Sequence, residues 1–218
     1  MKKILILVPH PDDEVLSFGG LISKAVKNGD HVRVVLFTCG GPCSNVPSTV
    51  RREEFENVMK FLNVTDYSIL GSNKDGLLSC MNSTDLTGII DNEIRSLEPD
   101  EVYCAPSSEH ADHKALAQAF LGAARLKSGF MPKLFAFGTY MFTDQLYSNQ
   151  DGGKIFQPLT EEDYKLKLEA FKLHESQFKP DPSPLGERGL RVWSEYLGLM
   201  CGSQYAEMYY QLRYIRCY

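Results

Sequence analysis

The stretch ILILVPHPDDEVLSFGG, residues 4–20, decides the fold. Residues 4–8 are apolar without alternation, the pattern of a strand covered on both faces in a parallel sheet. The run stops at Pro9-His10-Pro11, and three acids follow: Asp12, Asp13 and Glu14. From residue 14 to 28 the period is helical, with Val15, Leu16, Leu21, Ile22 and Val26 on one side. Gly29 is the stop signal. HVRVVLFT, residues 31–38, reads as a second buried strand. Strand, helix and strand in succession make a βαβ unit, whose crossover is right-handed.

The pattern repeats downstream. A Gly/Pro/Ser loop at 39–49 leads into an amphipathic helix at 51–64 and a short strand at 67–71. A helix at 84–97 precedes EVYCAP, residues 101–106, another buried strand, and a polar loop then feeds a helix from about His113. Residues 144–163 are polar and Gly-rich and are expected as surface loop. Thr160 and Asp163 fit a capping box opening a helix to about Phe178. A proline-punctuated loop at 179–189 and a short helix through Trp193 follow. There are no internal repeats and no low-complexity tract. Alternating strands and helices predict an α/β fold, a Rossmann-like layered domain with a mostly parallel sheet flanked by helices, as one domain over 1–218.

With 218 residues and 43% hydrophobic content, the chain can bury a substantial core. A net charge of −5 provides no basic footprint, so no nucleic-acid partner is expected. The start MKKILILV has too short an apolar stretch for a signal peptide and no small-residue cleavage site. No window is apolar enough to span a bilayer, so no membrane partner and a cytoplasmic location are expected. The six cysteines then read as reduced thiols. Cys39 and Cys43 loosely resemble a metal knuckle but lack a second pair at matching spacing.

HPDDE at 10–14 and HADH at 110–113 each follow an apolar strand and precede a helix. Parallel strands would bring both to the carboxyl edge of one sheet, where open α/β sheets bind ligands. Each cluster alone could be a helix cap, with Asp12 or Asp13 in the first and Asp112 in the second. Capping needs one side chain, however, and explains neither the histidines nor the duplication. No glycine-rich phosphate cradle is present, so a nucleotide cofactor is not expected. Histidines and carboxylates without a cysteine in either motif fit a catalytic Zn2+ site with an open position. Two imidazoles and one carboxylate would hold the metal, leaving an aspartate as general base and a histidine as acid.

These residues resemble the PIG-L/LmbE-like family of zinc-dependent de-N-acetylases. The resemblance rests on PHPDDE and HADH, on Arg51 and Glu54 of VRREEFENVMKFLNV, on HESQF at 174–178 and on YAEMY at 205–209. It implies His10, Asp13 and His113 as zinc ligands and Asp12 as the base that deprotonates the attacking water. His110 would stabilise the oxyanion and protonate the leaving amine, with Asp112 orienting His110. Arg51 matches a substrate-contacting arginine, and Asp75, in a turn, is a weaker candidate for substrate binding. Ala111 stands where the family usually has proline. The implied substrate is a small-molecule N-acetylated amino sugar or glycoside, of N-acetylglucosamine type. The alternatives are another acylamide in antibiotic or thiol-cofactor biosynthesis, or an inactive sugar-binding relative. Some relatives form rings, which leaves a homo-oligomer open.

Other polar residues have blander readings. Glu14 suits the first helical turn, where a carboxylate complements the dipole. His31 has no partner motif, and His174 favours a structural role. Tyr205, Tyr209, Tyr210 and Tyr214 read as core packing.

Overall fold

The computed structural model describes residues 1–40, 45–71, 78–127, 129–140 and 153–216. Its strands are β1 (Lys3–Val8), β2 (His31–Leu36), β3 (Asp66–Ile69), β4 (Glu101–Cys104), β5 (Leu134–Phe137), β6 (Lys154–Leu159) and β7 (Tyr205–Tyr214). Its helices are α1 (Asp13–Lys27), α2 (Ser48–Phe61), α3 (Ser83–Leu97), α4 (Ala111–Ala123), α5 (Glu161–Lys172) and α6 (Glu187–Cys201). The strands form one seven-stranded sheet in the order β3-β2-β1-β4-β5-β7-β6. The first five in that order pair in parallel, whereas β7 runs antiparallel to both β5 and β6.

The continuous apolar run of β1 follows from its central place. Ile4, Ile6 and Val8 face a core shared with Phe18, Ile22, Phe55, Val58 and Phe171, on the side of α1, α2 and α5. Leu5 and Leu7 face the other core, with Ile90, Ile94, Leu116 and Phe120 of α3 and α4. A strand residue that points its neighbours to opposite faces needs apolar side chains throughout when both faces are covered. Each such burial stabilises by roughly 1.5–3 kcal/mol.

The chain moves from β1 outward to β2 and β3, then returns to place β4 on the other side of β1. The order therefore reverses between β1 and β4, and the loops leaving those two strands diverge around a crevice. Such a switch point is where an open α/β sheet can take a ligand.

Four expectations change in the C-terminal third. Within the segment expected as loop, Lys154–Leu159 forms the edge strand β6, paired residue by residue with β7. Its Pro158 is tolerated because an edge strand needs ladder bonds on one side only. The helix expected to stop near Trp193 continues to Cys201, closed by Gly202 at φ 76. The Thr160–Asp163 capping box is present in both directions, although α5 ends at Lys172. Tyr205, Tyr209 and Tyr210 are buried, but Tyr214 is exposed. Among the described residues, no helix is long and apolar enough to cross a membrane.

Candidate metal centre

Pro9 and Pro11 bracket His10 as the chain leaves β1, and α1 begins only two residues after Pro11. Asp12 occupies the N-cap position with φ 109 and ψ −32, yet its side chain makes no capping bond. Positive φ in a non-glycine residue costs about 1–3 kcal/mol and needs surrounding structure to hold it. The simple capping explanation for Asp12 therefore fails. At the second strand end the cap is His110, whose Nδ1 accepts the Asp112 N–H at 3.2 Å, and α4 starts at Ala111.

Across the crevice His10, Asp13 and His113 bring one donor atom each to within 4.8 Å of one another, and all three are buried. His113 Nε2 lies 3.3 Å from Asp13 Oδ2, and His10 Nδ1 lies 3.7 Å from the same oxygen. Four ligands about 2.0–2.2 Å from a tetrahedral zinc sit about 3.3 Å apart, so this spacing suits such an ion.

The outer hydrogen bonds fix which nitrogen each histidine presents. His113 Nδ1–H donates to the Pro106 carbonyl at 2.8 Å, leaving the Nε2 lone pair for the crevice. His10 Nε2–H donates to Asp112 Oδ2 at 3.0 Å, leaving Nδ1. Metal-binding histidines commonly have such a carbonyl or carboxylate behind them. The expectation for Asp112 is thereby revised. Its carboxylate steadies His10 rather than His110, because α4 turns the side chain toward β1 while only its backbone N–H reaches His110. Asp112 Oδ1 also accepts the Ser79 N–H at 3.4 Å.

A second trio, His10, His110 and Asp112, is also close enough to hold an ion. His110 is exposed in it, and its Asp112–His10 contact is already an ordinary hydrogen bond. The first trio is the better fit, because the His113 lone pair and the Asp13 carboxylate face each other and need a cation or proton between them.

Charge in the crevice follows the same geometry. Burial opposes ionisation of Asp13, but His113 and His10 outweigh it and hold its carboxyl below the usual range. Burial would lower His113, yet Asp13 raises it to about 9. Burial and the adjacent Asp13 charge push Asp12 up to about 7, against the downward pull of Arg51. Burial, with His10 beside it, lowers His110. A neutral His110 that accepts at Nδ1 carries its proton on Nε2 and is therefore a donor there.

Arg51 of α2 is buried against this turn. Its Nη2 donates to the Pro11 carbonyl and lies 3.4 Å from Asp12 Oδ2. One turn along, Glu54 accepts the Ser176 N–H and hydroxyl, both at 2.7 Å. The Arg-x-x-Glu helix and the Ser-Gln segment thus meet in space. Asp75 and Cys43 lie outside the described residues.

Two groups carried no signal strong enough in the sequence. His174, fully buried, places Nε2 2.6 Å from Glu14 Oε1. Burial opposes its charge, but Glu14 raises it above the ordinary histidine value. Lys167 and Glu207, also buried, pair at 2.6 Å beside the middle of α1. His31 has a partner after all, Asp66 at 2.8 Å on the sheet edge.

Comparison with known proteins gives the chain a family and relatives in sequence and fold. Residues 5–124 match the PIG-L family model, described as GlcNAc-PI de-N-acetylase. A diacetylchitobiose deacetylase of Thermococcus kodakarensis is 29% identical over 95% of this chain and 82% of its own length. A probable N-acetyl-alpha-D-glucosaminyl L-malate deacetylase of Bacillus anthracis is 25% identical over 81% of this chain and 82% of its own. The N,N'-diacetylchitobiose deacetylase of Pyrococcus horikoshii superposes with a TM-score of 0.75 at 24% identity, covering 97% of this chain and 84% of that one.

Proposed function

The chain belongs to the PIG-L family of de-N-acetylases, hydrolases of amide bonds, and from that premise we propose that it removes the acetyl group of an N-acetylated amino sugar or glycoside in a Zn2+-dependent reaction. One observation carries the reading: a buried two-histidine, one-carboxylate trio beside a second carboxylate that neither caps a helix nor joins the trio. The relatives support the substrate class, since they are named for diacetylchitobiose and for an N-acetyl-glucosaminyl malate.

His10, Asp13 and His113 would hold the zinc, with Asp112 and the Pro106 carbonyl behind the histidines. A zinc ion held there would supply Lewis acidity toward the acetamide carbonyl and toward water. Asp12 accepts the proton of the attacking water, and a cation held by the neighbouring Asp13 would keep the Asp12 carboxylate ionised for that task. Arg51 fixes the Asp12 carboxylate through Oδ2 and steadies the turn through the Pro11 carbonyl. His110 Nε2–H faces the developing oxyanion, a role worth about 10²–10³-fold where single donors have been removed. A neutral His110 could protonate the departing nitrogen only by becoming an imidazolate. The proton held by Asp12, rather than the His110 proton that the resemblance implies, therefore goes to that nitrogen, and the C–N bond breaks to acetate and a free amine. Arg51 and Asp75 remain candidates for substrate contact.

The test is acetate release from a panel of N-acetylated mono- and disaccharides by zinc-loaded protein, with and without a chelator. Release that the chelator stops and zinc restores is expected. No release from any sugar by protein that retains its metal would overturn the reading.

A further inference from the structure

Glu14 completes the acidic run after β1, and His174 opens the Ser-Gln segment after α5. Neither reaches the metal trio, and both are fully buried. Buried charges are kept in folded proteins when they are paired and when their remaining lone pairs are satisfied. Here each Glu14 oxygen has a specific partner. Oε1 accepts from His174 Nε2 at 2.6 Å, and Oε2 accepts the backbone N–H of Asp12 at 2.9 Å. The His174 backbone is held in a turn, its carbonyl accepting the Gln177 and Phe178 N–H groups at 2.9 and 2.8 Å. Its ring Nδ1 is buried without a hydrogen-bond partner among the described residues, so Glu14 is what orients the imidazole.

The Asp12 backbone is the strained point of the crevice, at φ 109. That conformation lets Asp12 and Asp13, adjacent in sequence, take separate jobs. Asp13 starts α1 and faces both histidines, whereas Asp12 faces Arg51. Arg51 holds the turn from the Pro11 carbonyl, and Glu14 holds it from the Asp12 amide.

We propose that His174 is a positioning residue for Asp12, acting through Glu14 to hold the Asp12 backbone in the left-handed turn that aims its carboxylate. The kinetic consequence rests on the deacetylase reading; the structural one does not. His174→Leu removes the donor, and His174→Gln returns a donor at nearly the place of Nε2. In zinc-loaded His174→Leu, kcat should fall about 10²-fold, the scale of a misaimed catalytic group, with KM and zinc content near wild type. His174→Gln should recover most of the loss. Hydrogen exchange at the Asp12 amide should quicken in the leucine variant and return toward wild type in the glutamine one. Should the leucine variant not fold, Glu14→Asp serves, since its shorter arm cannot span both partners and should lower kcat and quicken exchange likewise.

Unchanged Asp12 exchange in His174→Leu would overturn the proposal, as would unchanged kcat, or leucine and glutamine variants equally impaired. Wild-type zinc protein that releases no acetate would sink the deacetylase reading instead, and the exchange comparison would still decide this one.

Discussion

Helix α1 is gripped twice from the C-terminal part of the chain, each time by a buried ion pair. At its first turn Glu14 pairs with His174. At its middle, Glu207 of β7 accepts the Gly20 and Leu21 N–H groups and the Tyr209 hydroxyl, each at 2.8 Å, and pairs with Lys167, which also donates to the Leu16 carbonyl at 2.9 Å. The two pairs share one arrangement: a carboxylate with its acceptor sites filled and a buried nitrogen donor beside it. Only the first is bonded to a residue of the crevice, through the Asp12 amide. The second touches no member of the metal trio. Burial and charge therefore do not mark a functional pair; what distinguishes it is the atom at the far end of the carboxylate.

The largest effect that would test this division lies in the trio itself. His113→Ala should abolish stoichiometric zinc and with it all turnover, while Glu207 and Lys167 variants keep their metal; zinc bound one per chain by His113→Ala would refute the ligand set. Next comes Asp12→Asn, which keeps shape but cannot accept the proton. Zinc and fold should persist, with turnover reduced by about 10²–10⁴-fold, the usual share of a general base. Metal content and acetate release on the same preparation decide it. Lost zinc would make Asp12 a ligand, and near-normal release would remove it from the chemistry.

Much of the first region was legible in the sequence, and little of the second. The run 4–8, the helical period after Glu14 and the strand at 101–104 are local patterns, and they place both clusters at one sheet edge without any tertiary knowledge. Strand β6 was not legible, since KIFQPL is made a strand by β7 beside it rather than by its own alternation. The partner of Asp112 was also hidden, because side-chain direction at a helix start selects between His10 and His110. Glu14–His174 and Lys167–Glu207 join residues from different elements, and no spacing rule links them. Gly20 offers one trace: a Cβ there would come within 2.5 Å of the Leu159 side chain and 3.1 Å of the Glu207 carboxyl carbon, so any larger residue would make those side chains shift.

The second region should fail by stability rather than by chemistry. Glu207→Gln leaves the Lys167 ammonium buried without a carboxylate, and removing one member of a buried pair costs about 3–5 kcal/mol. Denaturant unfolding should show that loss, while kcat per folded, zinc-loaded molecule stays within about twofold of wild type. A fall in kcat comparable to that of His174→Leu, with stability unchanged, would erase the distinction between the two grips.

The smallest effect concerns the proton that competes with the metal for the first region. Asp13 raises His113 to about 9, above its ordinary 6.5, so without metal the imidazole is protonated at neutral pH. A raised histidine adds stability to the metal-free fold that is complete below 6.5 and fades as pH rises through about 9. A zinc ligand must be the neutral imidazole, so binding has to expel that proton. Apparent zinc affinity should therefore rise about tenfold per pH unit between 7 and 8.5, the slope of one proton released. Calorimetry in buffers of different ionisation enthalpy measures that release directly. The slope should survive Glu207→Gln, whose site is remote. A pH-independent affinity in wild-type protein would show that Asp13 and His113 do not share a proton, and would separate the trio the geometry joins.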